Sequence, residues 1–351
     1  MKNPIALCAA VFSFLSASAQ YHYPPTKTVD SSDTYFGVTY KDPYRWLEYT
    51  KQRQAETWFK QQATYTDSVL NKLNGRDELI AEWKQVDKQF PVFYSDLTYE
   101  NGRLFYRKTM TGESFAKLYY RDGMNGKEEL LFDPTTYIPG KTFSLQSFTP
   151  SHDGKKIGFV YSEKGAEIGT LKVMMVDTKQ FLPDSISPSI GIGSWTFDNQ
   201  AFSYSSMKSA DSKDATSRLN PKAKLHILGN ELSEDADIFS NASYPALNID
   251  PKMHPFVFLD EDSKDYIFAG LGSSQKELTR YYAPAEQLNS KNISWNVLCK
   301  ASDKLIHLEY INDDVYAILI IMLQTIKSWQ RAWPIPIGQM PLQLLRKGQT
   351  G

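Results

Sequence analysis

From Phe90 onward the chain alternates apolar and polar positions in short runs rich in Val, Ile, Tyr and Phe, each closed by a polar turn. That texture predicts strands. One unit recurs: a polar turn, an alternating strand, then a second strand. It is seen at Asn101-Gly102-Arg103-Leu104-Phe105-Tyr106, at Asp153-Gly154-Lys155-Lys156-Ile157-Gly158-Phe159-Val160-Tyr161 and at Asp198-Asn199-Gln200-Ala201-Phe202-Ser203-Tyr204. Weaker copies stand at Lys264-Asp265-Tyr266-Ile267-Phe268 and Asn312-Asp313-Asp314-Val315-Tyr316. The turns fall roughly 45–65 residues apart, close to the period of propeller blades. Each blade is a four-stranded sheet, and blades are arranged in a ring. About four and a half blade units are expected, so the fold class is mainly β, an incomplete β-propeller. A jelly roll or sandwich is the alternative that periodicity leaves open.

Upstream the period changes. Ala55, Trp58, Phe59, Gln62, Thr66, Val69 and Leu73 recur at helical spacing, with Gly75 placed to cap the end. A second short helix is expected with Asp77 as its cap and Leu79, Ile80, Trp83 and Val86 as its apolar face. Before them, Lys2, the apolar run Ile5 to Leu15 and Ala17-Ser18-Ala19 read as a secretory signal cut before Gln20. The apolar run is too short to span a bilayer. The organisation expected is a signal at 1–19, a helical segment at 20–88, a partial propeller at 89–316 and an aberrant tail at 317–351.

Composition sharpens this little. Hydrophobic residues are 41% of 351 and aromatics 13%, enough for a sizeable core and favourable to strands. The net charge of -1 gives no electrostatic case for nucleic acid or an anionic membrane. After removal of the signal only Cys299 remains, so no internal disulfide is expected. Cys299 lies in the strand-like run Trp295-Asn296-Val297-Leu298-Cys299, where a buried inert thiol is expected.

Candidate chemistry is sparse. A nucleophile elbow needs Gly-x-Ser-x-Gly, with Asp and His following in that order. The nearest run is Gly191-Ile192-Gly193-Ser194-Trp195, where the Ser is misplaced and is expected just before a strand. His22 adjoins the signal, His152 and His254 sit in turn-like sequence, and His226 and His307 in strand-like sequence. None has metal-ligand spacing on a helix. Asp260-Glu261-Asp262 reads as a solvated turn. With no phosphate loop and no cysteine frame, no catalytic, cofactor or metal residue is assigned and no cofactor is expected.

Asp42-Pro43-Tyr44-Arg45-Trp46-Leu47-Glu48 is similar to the opening motif of the prolyl oligopeptidase family. Further on, Asp153-Gly154, Ser162-Glu163-Lys164-Gly165 and Leu171-Lys172-Val173-Met174-Met175-Val176-Asp177 resemble an early blade of that family. Trp195-Thr196-Phe197-Asp198 with Phe202-Ser203-Tyr204 resembles the next, and Leu225-His226-Ile227-Leu228-Gly229 with Ser233-Glu234-Asp235 continues it. Asn199 and Gln200 depart from the pattern, standing where the turn usually carries Gly. The resemblance implies an α/β-hydrolase domain capped by a seven-bladed propeller, with the N-terminal helices packed on the hydrolase side. It implies a serine endopeptidase that cleaves short peptides after proline, with its Ser, Asp and His in a C-terminal half. The propeller then excludes large substrates.

The tail breaks the pattern. No Asp or Glu follows Asp314. Back-translated with AT-rich codons and read from the third base, Ile318 to Lys327 gives Thr-Asn-Tyr-Asn-Ala-Pro-Asn-Tyr-Lys, the continuation expected in that family. A frameshift near Ala317 is therefore expected, with a deliberate short tail or an interfacial helix as the rival reading. The functional expectation is the N-terminal part of a secreted or periplasmic prolyl oligopeptidase, without a triad and inactive alone. Its expected partners are short proline-containing peptides, with no nucleic acid and no membrane span. The alternatives are a free-standing periplasmic propeller that binds peptides or a protein partner, and a chain that pairs with a separately encoded catalytic half.

Overall fold

The computed structural model describes residues 22–163, 165–211, 214, 216–311, 314–319 and 342–343. The expected signal, the turn at 312–313 and all of the expected tail except 317–319 and 342–343 lie outside them. The chain divides into two units, Met1–Val86 and Asp87–Gly351.

In the first unit, strands β1 (Ser32–Tyr35) and β2 (Val38–Lys41) form a hairpin. Its two-residue turn, Phe36-Gly37, has positive φ at both positions (54 and 80°), the geometry that matches strand twist. The Asp42 to Glu48 motif follows. The Asp42 carboxylate accepts hydrogen bonds from the Tyr44 N–H at 3.1 Å and from Arg45 Nε at 2.8 Å. Arg45 also pairs with Asp33, which fixes the motif to the hairpin. Trp46 is buried, and its Nε1–H donates to Lys27 O at 2.7 Å. Helix α1 (Arg53–Leu70) adds Trp58, edge-on to Trp46 at 6.3 Å, whose Nε1–H donates to Thr26 Oγ1 at 3.0 Å. Two indoles thus bury their rings while satisfying their N–H groups on the extended segment at residues 26–27.

Helix α2 (Arg76–Asp87) follows. Two details differ from the expectation. Helix α1 stops at Leu70, with Asn71 as its C-cap, so Leu73 and Gly75 lie beyond it. Gly75 has φ +81° and its carbonyl accepts from the Leu79 N–H at 3.0 Å, so it leads into α2. Asp77 accordingly sits in the first turn of α2, beyond the cap, where a carboxylate still opposes the helix dipole favourably. Leu79, Trp83 and Val86 on α2 are exposed. Among the described residues, no helix is long and apolar enough to cross a membrane.

The second unit is a succession of mostly antiparallel sheets in chain order. Blade 1 is β3 (Val92–Glu100), β4 (Arg103–Met110), β5 (Lys117–Asp122) and β6 (Glu129–Phe132). Then come β7 (Phe143–Pro150), β8 (Lys156–Glu163), β9 (Gly169–Met175), β10 (Phe181–Trp195), β11 (Ala201–Ser206), β12 (Lys222–Ile227) and β13 (Ala236–Phe239), joined in one seven-stranded sheet. Strand β10 is shared: Phe181 to Ser189 pairs with β9 and Ser189 to Trp195 with β11. It is the last strand of blade 2 and the first of blade 3. Blade 4 is β14 (His254–Leu259), β15 (Tyr266–Gly272), β16 (Arg280–Pro284) and β17 (Asn296–Cys299). A fifth begins with β18 (Leu305–Ile311) and β19 (Asp314–Leu319), and β20 (Leu342–Gln343) pairs parallel to β19.

The hydrophobic core is divided the way stacked blades require. One cluster joins Phe105, Leu118 and Phe132 of blade 1 to Phe143, Ile157 and Phe159 of blade 2. The next joins Val160, Leu171 and Ile186 to Trp195, Phe202 and Tyr204 of blade 3. A third joins Leu225, Ile238 and Phe239 to Val257, Ile267 and Tyr281 of blade 4. A fourth joins Phe268, Leu298 and Cys299 to Leu305, Tyr310 and Val315. Strand β8 shows why its middle run, Ile157 to Tyr161, carries no polar side chain facing solvent. Ile157, Phe159 and Tyr161 enter the first cluster while Val160 enters the second, so both faces are buried. The sheets are not closed, as in an incomplete propeller, and each packs on its chain neighbours, unlike a two-sheet sandwich.

The recurrent turns take the conformations that their residues allow. Gly102 (φ 82°) and Gly154 (φ 65°) are left-handed. Asn199, standing where Gly was expected, holds φ 58° and does the same work, since Asn tolerates that region.

Candidate functional site

The turns between the first and second strands of the blades meet along one rim. Asn101 Nδ2 of the blade 1 turn donates to Asp153 O at 2.9 Å. The Asp153 N–H of the blade 2 turn donates to Asn199 Oδ1 of blade 3 at 3.3 Å, and Lys156 Nζ donates to Asn199 O at 3.1 Å. Lys264 of the blade 4 turn places its Nζ 5.5 Å over the Phe197 ring. The repeat read from the sequence is thus a ladder from blade to blade.

Titratable groups converge on this rim. Glu100 ends β3, His152 follows β7 and Glu261 follows β14, and their ligand-type atoms lie within 4.8 Å of one another. His152 Nε2–H donates to the Trp195 carbonyl at the end of β10, at 3.1 Å. Nδ1 faces Glu261 Oε1 at 2.8 Å. The imidazole lies against the Phe197 ring at 5.3 Å between centroids. Four blades therefore meet on one histidine. Burial pushes the Glu100 carboxyl above its ordinary value, the nearby Glu261 charge adds to this, and His152 opposes it. Asp260 is raised by burial and by Asp262, Glu309 and Glu261, against the Asp262 N–H that it accepts at 3.0 Å. Glu100, His152 and Glu261 are the residues here that could hold a metal ion.

A second histidine, on β12 of blade 3, is enclosed where blades 2 and 3 meet. His226 is 0% exposed. Its Nδ1 lies 2.8 Å from Asp235 Oδ1 and its Nε2 lies 2.9 Å from Asp184 Oδ1. A carboxylate only accepts, so both ring nitrogens donate and the ring is an imidazolium. Burial pulls its pKa down, but the hydrogen bonds its ring donates to Asp235 and Asp184, and their charges, outweigh this and raise it. Tyr204 Oη donates to Asp235 at 2.7 Å and the Gly229 N–H donates to Asp184 at 2.7 Å. Burial and its bond to Asp235 push the Tyr204 phenol up.

The other residues singled out in the sequence are dispersed. Ser194 lies inside β10 instead of preceding a strand, because β10 continues through the Gly-Ile-Gly-Ser run. Its hydroxyl donates to the carbonyls of Trp195 and Leu259, at 3.2 and 3.4 Å. His226 has both nitrogens committed to carboxylates, so the two do not pair as nucleophile and base. His254 opens β14, contrary to the turn expected, and burial lowers its pKa. His307 is on β18 and exposed, beside Glu309 at 2.5 Å. Cys299 is buried at the end of β17, and burial pushes its thiol up to about 11 against the opposing Arg280 charge. The meeting of His152 with Glu100 and Glu261 was not legible as spacing, because the three come from three blades.

Residues 24–319 match the family model described as prolyl oligopeptidase, N-terminal beta-propeller domain. The chain belongs to the prolyl oligopeptidase family. Among curated relatives, a prolyl endopeptidase of Elizabethkingia meningoseptica is 28% identical over 250 residues, covering 69% of this chain and 35% of the relative. A dipeptidyl aminopeptidase BI of Pseudoxanthomonas mexicana is 23% identical over 227 residues, covering 58% and 30%. A solved structure from work on two prolyl endopeptidases and the role of inter-domain dynamics in catalysis and specificity aligns with TM-score 0.65 and 28% identity, over 79% of this chain and 39% of that one. The prolyl oligopeptidase B of Galerina marginata, bound to a 25mer macrocyclization substrate, aligns with TM-score 0.63 over 78% and 41%, and at 20% identity shares the fold. The chain spans about a third of the length of the curated relatives it matches, at 35% of the prolyl endopeptidase.

Proposed function

We propose that this chain is the N-terminal, propeller-bearing part of a secreted prolyl oligopeptidase acting on short proline-containing peptides, and that it has no peptidase activity alone. The observation that carries this reading is the match of residues 24–319 to the family's N-terminal propeller domain. The commitment of Ser194 to main-chain carbonyls and of His226 to two carboxylates supports it, since neither is available to form a nucleophile–base pair. In this role the blades stand over a catalytic domain and limit the size of the peptide admitted. The signal-like segment before Gln20 supports export to the periplasm or medium.

The test is an assay of the purified chain with a proline-containing chromogenic peptide. The expected result is no turnover. Turnover abolished by a serine-directed reagent would overturn the reading. Export is checked by cell fractionation and N-terminal sequencing of the product, which should begin at Gln20. Sequencing the coding DNA from the Ile311 codon onward tests the proposed frameshift. It should show, in another frame, the Thr-Asn-Tyr-Asn-Ala-Pro-Asn-Tyr continuation and later a Gly-x-Ser-x-Gly.

A further inference from the structure

We propose that Glu100, His152 and Glu261 form a binding site for one divalent transition-metal ion of the zinc type, which clips the rim of the propeller together. The argument begins with the His152 ring. A carbonyl oxygen cannot donate, so the contact with Trp195 O assigns the proton to Nε2. In the neutral ring Nδ1 is then a lone pair. That atom is shut off from solvent, and Glu261 Oε1 stands 2.8 Å away. A lone pair and two carboxylates converge within 4.8 Å. Such an arrangement needs a cation between the acceptors, either a proton on Nδ1, as at His226, or a metal ion that takes its place.

The donor set selects the cation. An imidazole nitrogen and carboxylate oxygens are ligand types that zinc accepts, and three protein ligands leave a fourth position for water. Magnesium and calcium prefer all-oxygen sets. The main-chain carbonyl on Nε2 is the outer partner that metal-bound histidines commonly keep, and it fixes ring orientation and tautomer. Zinc bonds of about 2.0–2.2 Å hold two ligand atoms no more than about 4 Å apart, so a small adjustment of the exposed Glu261 side chain completes the site. The three ligands come from blades 1, 2 and 4, with the blade 3 carbonyl behind the ring. A bound ion would therefore tie four blades that the backbone joins only in series. This inference does not depend on peptidase activity.

The experiment uses the full chain, stripped of metal with a chelator and titrated with ZnCl2 by calorimetry near neutral pH. CoCl2 provides a visible absorption readout, and CaCl2 is the comparison. One Zn2+ should bind per chain, Co2+ should give a low-symmetry visible spectrum, and Ca2+ should not compete. Glu261→Gln removes an exposed ligand without touching the core. It should weaken Zn2+ binding about tenfold or more while leaving the metal-free melting curve unchanged. His152→Gln should weaken it at least as much. The proposal is overturned by three results: no Zn2+ binding, Zn2+ binding unaltered by Glu261→Gln, or Ca2+ binding as tightly as Zn2+. The first would mean that the rim histidine is held by a proton shared with Glu261.

Discussion

Replacing His226 by Leu removes the cation that holds two buried carboxylates together where blades 2 and 3 meet. The cost follows from the geometry. Asp184 and Asp235 each present an oxygen to the ring, at 2.9 and 2.8 Å, and the ring itself is 0% exposed. After the substitution each carboxylate keeps one other donor, the Gly229 N–H and the Tyr204 hydroxyl respectively. Breaking a buried pair from one side costs about 3–5 kcal/mol. Tyr204→Phe, which removes a single bond to a charged acceptor, should cost about 1.5–3 kcal/mol. Urea titrations followed by near-ultraviolet circular dichroism should rank the two in that order. The pH dependence has a definite sign. The folded pKa of His226 lies above its ordinary 6.5, so folding takes up a proton. The stability it supplies is full below about pH 6.5 and is lost as pH rises through the folded value. The gap between the parent and His226→Leu should therefore be widest in mild acid and narrow in alkali. A gap under about 1 kcal/mol at pH 6, or one that widens with pH, would refute the imidazolium and the argument built on it.

Other substitutions probe the blade interfaces. A Cβ on Gly193 would stand 2.4 Å from Val257 O and 2.5 Å from Ser203 Oγ, so Gly193→Ala should force blades 3 and 4 apart and cost about 1–3 kcal/mol in a denaturant titration. Phe159 is 1% exposed and meets Phe132 at 4.6 Å, so Phe159→Ala should cost about 3–5 kcal/mol by the same measurement. With burial holding the Cys299 thiol near 11, a thiol-directed chromogenic reagent should not label Cys299 in the folded chain at pH 8 but should label it after denaturation.

The blades were legible because their signals are local. Alternation marks a strand, and Asn-Gly or Asp-Gly marks the reversal that follows, so Asn101-Gly102 and Asp153-Gly154 appear in the structure where the pattern set them. The continuity of β10 was hidden. Pro and Gly ordinarily interrupt a strand, yet this one runs on because the ladder shifts register between Phe181 and Ser185 and between Ile186 and Ser189, where the absent N–H groups of Pro183 and Pro188 are tolerated, and again between Ser189 and Ser194 around Gly191 and Gly193. His226 read correctly as a strand residue, but Asp184 comes from β10, 42 residues earlier, and only the assembled sheet brings it to the ring. The rim cluster was hidden for the same reason, since local spacing carries no information about which turns of which blades converge. The helix ends moved because Gly75 and Asp77 each suit more than one place at a terminus.

The shared strand β10 has a consequence for how the chain comes apart. Blades 2 and 3 are one hydrogen-bonded sheet of seven strands, while blades 1 and 4 are held to it by side chains. Cooperative opening follows continuous backbone pairing more closely than it follows the count of repeats. Amide hydrogen exchange should therefore treat residues 143–239 as a single foldon that opens last. Blade 1 should exchange as a separate, earlier unit. Under stress the chain would then shed its repeats unequally, down to a two-blade remnant with His226 at its centre.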